Sequence, residues 1–259
     1  MPAAGQEQSE KRSRGIWGAP NRAFIRTMQS ALLQHALSHW PRRDAPLLEV
    51  NCGNGAFLPL LWQSGFDVRA VEEDSGLRQA AQARKIAGLE FYAAREDDLP
   101  FEEDAFDWVI LHLRDSSTYK KAILEAVRVA KRGVMASFWN SISLASLLER
   151  LHLQKLAITE KTFSWFKVWS HIRNLHTGRI TSFSVLAGPV LTWSSRCPLA
   201  SCNAILSGLP LGSWCIIKVD FGAFIPFTPL PLRFGKHLRE TAPAMEFVQK
   251  NQIEKNEDI

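Results

Sequence analysis

Residues 47–55 read Leu47-Leu48-Glu49-Val50-Asn51-Cys52-Gly53-Asn54-Gly55. Leu47–Val50 is a short apolar run of the kind that forms a buried strand. It empties into a turn holding two glycines. Glycine turns tightly and lets the backbone approach a ligand with no Cβ in the way. Asn51 is of a residue type that tolerates left-handed geometry better than most. The turn feeds a helix predicted over Phe57–Ser64, whose first N–H groups have no partner inside the helix. The third glycine of a dinucleotide fingerprint would fall at Leu58, which argues against an NAD-linked oxidoreductase.

The pattern repeats outward from this turn. Val68–Val71 is a second apolar run, followed by a helical stretch over Gly76–Ile86. Glu90–Ala93 is a third, short strand, and Phe106–Leu111 (FDWVIL) a stronger fourth. Tyr119–Ala130 is helical, and Gly133–Phe138 (GVMASF) is a fifth strand. Strands alternating with helices require parallel crossovers. The expected fold is therefore α/β: a Rossmann-like, doubly wound, mostly parallel sheet with helices on both faces. On the N-terminal side, Phe24, Ile25, Met28, Leu32, Leu33, Ala36 and Leu37 recur at helical spacing, so Asn21–His39 reads as an amphipathic helix. Beyond Trp139 the pattern loosens into an irregular C-terminal cap. There Leu144–Leu156 reads as a helix, Thr159–His176 is rich in aromatics, residues 186–212 fit no period, and Trp214–Phe221 reads as a late strand. The chain thus divides into a tail (1–17), a cofactor-binding core (18–140), a cap with late strands completing the same domain (141–234) and a charged tail (235–259).

Composition sets bounds on function. The chain has 259 residues, 46% hydrophobic and 22% charged, enough apolar material for a packed core. Its formal charge of +5 sits in short runs such as Lys11–Arg14, Arg42-Arg43 and Lys120-Lys121. A solvated surface explains such runs better than a nucleic-acid groove. The four cysteines form no CxxC pair and have no histidine cluster beside them, so neither a metal site nor a disulfide framework is expected. The polar start lacks an apolar core and is no secretory signal. Between Ile180 and Ile217 the only charge is Arg196, but Pro189, Pro198 and Pro210 interrupt any spanning helix. These features point to free thiols in a reducing cytoplasm, with no transmembrane segment.

In an open parallel sheet, ligands bind beyond the carboxyl ends of the strands. After the second strand comes Glu72-Glu73-Asp74, about twenty positions past the glycine turn, where a carboxylate can hold a ribose diol.

LLEVNCGNG, followed by VRAVEED, LPFEEDAFDWVIL and ILEAVRVAKRGVMASF, resembles the class I S-adenosylmethionine-dependent methyltransferases of the small-molecule type, over roughly residues 45–140. The match includes Leu99-Pro100-Phe101 with Phe106-Asp107-Trp108-Val109, and Leu124, Glu125, Arg128, Val129 and Gly133. Against the family pattern, Glu49 stands for aspartate, Asn51 for the first glycine, and Arg95-Glu96 for Asp-Ala beside the adenine. The resemblance implies S-adenosylmethionine as cofactor. The loop Asn51–Gly55, with Gly53 and Gly55, would cradle its amino-acid end. Glu49 would orient its ammonium, Glu72 its ribose, and Glu96 or Asp97 its amino group. His112, just past the fourth strand, is the first candidate for a catalytic base and Asp115 the second. Trp139, Asn140, Trp165, Phe166 and Trp169 would line a pocket for a small, apolar or aromatic acceptor. The alternative implied by Asn51 and Arg95-Glu96 is an inactive, methyltransferase-like binding or regulatory module.

Overall fold

The computed structural model describes residues 19–43, 45–151, 161–175 and 178–222. Both expected tails lie outside the described residues, as does the second half of the helix expected over Leu144–Leu156.

The described chain runs α1 (Ala19–Leu37), β1 (Pro46–Val50), α2 (Leu58–Gln63), β2 (Asp67–Val71), α3 (Ser75–Gln82), β3 (Glu90–Tyr92) and β4 (Phe106–His112). It continues through α4 (Tyr119–Val129), β5 (Ala130–Asn140), α5 (Leu144–Arg150), β6 (Thr162–Phe163) and α6 (Trp165–Leu175). Last come β7 (Arg179–Val185), β8 (Leu206–Ser207) and β9 (Trp214–Asp220). One sheet joins the strands in the order β3-β2-β1-β4-β5-β9-β7-β8, with β6 on the free end of β5. The five strands predicted from the glycine turn outward are parallel to one another, and β9 enters antiparallel beside β5. The order reverses at β1, so the β1 and β4 tips form the switch point where such sheets bind ligands.

Alternate residues of the strands face two separate cores. One face gathers Leu47, Trp108, Ile110, Met135, Ile216 and Val185 beneath α1 and α2. The other gathers Leu48, Val50, Val109, Leu111, Val134, Ala136 and Ile217 beneath α4 and α6. Burial on both faces explains why these strands read as continuous apolar runs. The N-terminal helix is part of this structure: Leu32, Leu33, Ala36 and Leu37 are fully buried, and His35 meets Phe183 of β7 edge-on at 5.1 Å.

Several boundaries differ from expectation. The fifth strand is longer than Gly133–Phe138 because it starts directly where α4 ends: Ala130 already has extended dihedrals (φ −96°, ψ 128°), with no turn between. The helix expected over Gly76–Ile86 begins at Ser75, capped by Asp74 accepting from the Leu77 N–H at 2.9 Å, and ends at Gln82. The cap is less irregular than its sequence: β7, Arg179–Val185, had no strand signal yet lies between β9 and β8. Residues 186–212 hold two short 3₁₀ turns, Val190–Thr192 and Ala200–Asn203, and the short strand β8. Side chains hold them: the Asn203 amide donates to the Thr192 carbonyl at 3.0 Å, and the Asn140 amide to the Pro210 carbonyl at 2.8 Å and the Gly212 carbonyl at 3.1 Å.

Candidate functional site

Register places Val50 beside Val71 on one side and Leu111 on the other, so the loops leaving β1, β2 and β4 start side by side. The β1 loop is left-handed at Asn51 (φ 60°), Gly53 (φ 62°) and Gly55 (φ 68°). Asparagine in place of the first glycine therefore keeps the backbone conformation, since it tolerates this region better than most side chains. At Gly55 a Cβ would fall 2.7 Å from the Leu58 side chain and 3.0 Å from Ala81, so its bareness lets α3 pack against the loop. At Gly53 a Cβ would fall 2.7 Å from Arg114 Nη2.

Glu72, at the tip of β2, is only 2% exposed. The Gly53 N–H donates to its Oε2 at 2.7 Å, so the glycine turn and the carboxylate one crossover later are in direct contact. The Asp74 N–H donates to Oε1 at 3.2 Å. Arg114 Nη1 donates to both oxygens, at 3.1 and 3.0 Å, while its Nη2 donates to the Asn51 carbonyl at 3.1 Å. Sequence reasoning missed Arg114. The available signal was a lone cation just past β4, beside two strand tips that each carry a buried carboxylate.

Glu49, on β1, is fully buried. One oxygen bonds His112 Nε2 at 2.9 Å, and His112 Nδ1 bonds Ser137 Oγ at 2.6 Å. A carboxylate only accepts, so Nε2 carries the hydrogen in its bond to Glu49. Phe57 stacks on the imidazole at 5.5 Å. The other carboxylate oxygen, Oε2, is buried with no hydrogen-bond partner among the described residues. Such an acceptor is costly unless a donor arrives, and an ammonium group is a donor of the right charge.

Glu96 is 8% exposed and accepts from the Asn51 amide and the Thr118 hydroxyl. Arg95, its neighbour, pairs with Asp97, Nε to Oδ1 at 2.9 Å. The structure thus gathers Glu49, Asn51, Gly53, Glu72 and Glu96 around one group of strand tips, linked by hydrogen bonds through His112, Arg114 and Thr118.

The two candidate bases stand differently. Both His112 nitrogens are engaged inside the chain, one with Glu49 and the other with Ser137. Asp115 accepts from Lys161 Nζ at 2.8 Å and from the Ser117 N–H at 2.9 Å. The Lys161 ammonium, helped by Ser117, holds its carboxyl down to about 2, so it is a poor proton acceptor at neutral pH. Burial pushes the Cys52 thiol up, with Glu49 and Glu72 adding to the effect, so it stays protonated within the loop.

The aromatic candidates separate. Trp139 is buried against Trp193 at 6.3 Å, Asn140 is committed to backbone carbonyls, and Trp165 is buried against Trp169 at 5.9 Å. Phe166 is exposed and lines a groove of about 720 Å³ with Ser116, Tyr119, Lys120, Lys167 and His171. Among the described residues, no cluster of histidine, cysteine and carboxylate side chains is placed to hold a metal, and no helix is long and apolar enough to cross a membrane.

The motif residues flanking the site have structural roles. Arg128 donates to the Phe101 carbonyl at 2.8 Å, the Leu99 carbonyl at 3.1 Å and Glu125 at 2.7 Å, while Glu125 accepts from the Leu99 N–H at 3.1 Å. A Glu-x-x-Arg pair on α4 thus clamps the Leu-Pro-Phe turn ahead of β4.

Comparison with known proteins agrees with this geometry. Residues 48–138 match the family described as methyltransferase domain. A phthiotriol/phenolphthiotriol dimycocerosates methyltransferase of Mycobacterium tuberculosis is 27% identical over 124 residues, 44% of this chain and 42% of that protein. A demethylmenaquinone methyltransferase of Clavibacter sepedonicus is 34% identical over 92 residues, 34% of this chain and 37% of that protein. The match therefore spans less than half the length of these relatives. Among solved structures, a possible histamine N-methyltransferase from Thermotoga maritima superposes with a TM-score of 0.57 at 15% identity, over 83% of this chain and 96% of that one. Magnesium protoporphyrin IX methyltransferase from Synechocystis PCC 6803 gives 0.56 at 14% identity, over 83% and 95%. The fold is that of the Rossmann-like methyltransferases, and residues 48–138 are similar to the methyltransferase-domain family.

Proposed function

We propose that the chain is an S-adenosylmethionine-dependent methyltransferase acting on a small, apolar or aromatic acceptor in a reducing cytoplasm. The observation that carries the reading is the contact between the Gly53 N–H and the buried Glu72 carboxylate, next to a buried Glu49 oxygen that lacks a donor. Bound there, the cofactor supplies an electrophilic sulfonium methyl group. The chain's own task is then to bind and align. Glu49, fixed by His112, offers its free oxygen to an ammonium. Gly53 lets the backbone come close, Gly55 lets the loop pack tightly on α3, Glu72 offers acceptors to hydroxyls, and Glu96 offers one to an amino group. The acceptor class is supported by the relatives, whose names specify a lipid and a quinone, and by Phe166 exposed on the groove at the β4–α4 side. Four free cysteines support the compartment.

A second reading, a methyltransferase-like binding or regulatory module without activity, is favoured by one observation: Asn51, Glu72 and Glu96 are already bonded to side chains of the same chain. Calorimetric titration with S-adenosylmethionine decides whether the site takes cofactor at all. Saturable binding, weakened at least about tenfold in Glu49→Ala, is expected. No binding at millimolar cofactor, either by wild type or with Arg114 replaced, overturns the proposal. Turnover against a panel of phenolic and quinol acceptors separates the enzyme from the inactive module.

A further inference from the structure

We infer that Arg114 is the residue that sets cofactor affinity, because its guanidinium occupies the acceptors on Glu72 that a ribose diol needs. The inference rests on the methyltransferase reading of this site. A carboxylate offers about four lone-pair sites on its two oxygens. In Glu72 each oxygen already has two donors: Asp74 N–H and Arg114 on Oε1, Gly53 N–H and Arg114 on Oε2. The backbone donors belong to the loops that define the site. Only the arginine is removable, and removing it frees one acceptor on each oxygen, the number that two neighbouring hydroxyls require.

Arg114 also covers the other half of the expected cradle. Its Nη2 lies 2.7 Å from the point where a Gly53 Cβ would stand, and it donates to the Asn51 carbonyl. One guanidinium thus lies across the bare face of the glycine and the open side of the carboxylate. It is not locked there. Its side chain is 39% exposed against 2% for Glu72, so the longer partner has a path to water and the shorter does not. Binding therefore exchanges one set of donors on Glu72 for another. The observed affinity is the intrinsic one reduced by the fraction of molecules in which Arg114 has swung clear.

The test is calorimetric titration with S-adenosylhomocysteine of wild type, Arg114→Gln and Arg114→Lys, with thermal unfolding of each protein alone. Glutamine removes the charge and the fork, and the expected result is binding tighter by about tenfold or more. Lysine keeps the charge but cannot span Glu72 and the Asn51 carbonyl together, so its affinity should fall between the two. A residue that merely braces Glu72 behaves oppositely, and its loss weakens binding. Unchanged or weaker binding in Arg114→Gln overturns the inference and leaves the function standing. If Arg114→Gln does not fold, Arg114→Lys decides by the same criterion. If none of the three proteins binds S-adenosylhomocysteine at millimolar concentration, the methyltransferase reading falls and the inference with it.

Discussion

The tips of β1 and β2 each carry a buried glutamate, and the two are held in opposite ways. Glu72 is saturated by two backbone N–H groups and an arginine. Glu49 is held through one oxygen by a histidine, with the other oxygen buried and unpartnered among the described residues. A buried carboxylate is tolerated only where donors replace water. Glu72 meets that condition within the chain, whereas Glu49 meets half of it. The two strand tips thus differ in what the chain supplies: donors on both oxygens of Glu72, and a donor on one oxygen of Glu49 among the described residues.

Breaking each arrangement should have unequal costs. The largest is expected for Glu72→Leu, which strands the Arg114 charge and two backbone donors. Losing one partner of a buried charged network costs about 2–4 kcal/mol, with the half-exposed arginine keeping it toward the lower end. Urea unfolding of the full chain measures it, and a loss under half a kcal/mol would show that Glu72 is not the hub of its tip. His112→Phe should come next. It keeps the ring stacked near Phe57 but leaves Glu49 with no partner on either oxygen, at about 1–3 kcal/mol. The same variant should weaken S-adenosylhomocysteine binding, because Glu49 loses the group that orients it. A destabilised protein with unchanged affinity would separate Glu49 from the site.

Much of the site was legible before the fold was known, and the boundary has a physical cause. The parallel strands bury both faces, so they appear as apolar runs punctuated by glycine and acidic turns. The approach of Gly53 to Glu72 followed from that order, since neighbouring parallel strands bring their tips together. The strand Arg179–Val185 was illegible because Ser182 and Ser184 sit among its apolar residues, with Ser184 buried and donating to the Leu209 carbonyl at 2.8 Å. Arg114 was illegible for another reason. A single cation after a strand has no period, and its role exists only once the Glu72 carboxylate and the Asn51 carbonyl of the glycine turn converge on it. His112 shows the same limit: its place at the β4 tip was legible, whereas its partners were not. Its position follows from the strand, whereas the occupation of both nitrogens follows from Glu49 and Ser137 on the neighbouring strands.

A third carboxylate, Glu125, sets the scale for the other two because it does a purely structural task at the surface of α4. The Arg128 guanidinium beside it holds its carboxyl below the usual value of 4.5, with the Leu99 N–H adding to the effect. A depressed folded-state value means that the stabilisation is fully present above about pH 4.5 and is lost as the pH falls through the folded-state value. Glu125→Gln should therefore cost a few tenths to about 1 kcal/mol at pH 7, the range of partly exposed ion pairs. The gap between variant and wild type should then narrow on acidification below pH 4.5. Urea midpoints at pH 7 and pH 4 measure both. A gap that persists undiminished at pH 3 would show that Glu125 clamps the Leu99–Phe101 turn through shape alone, without its charge.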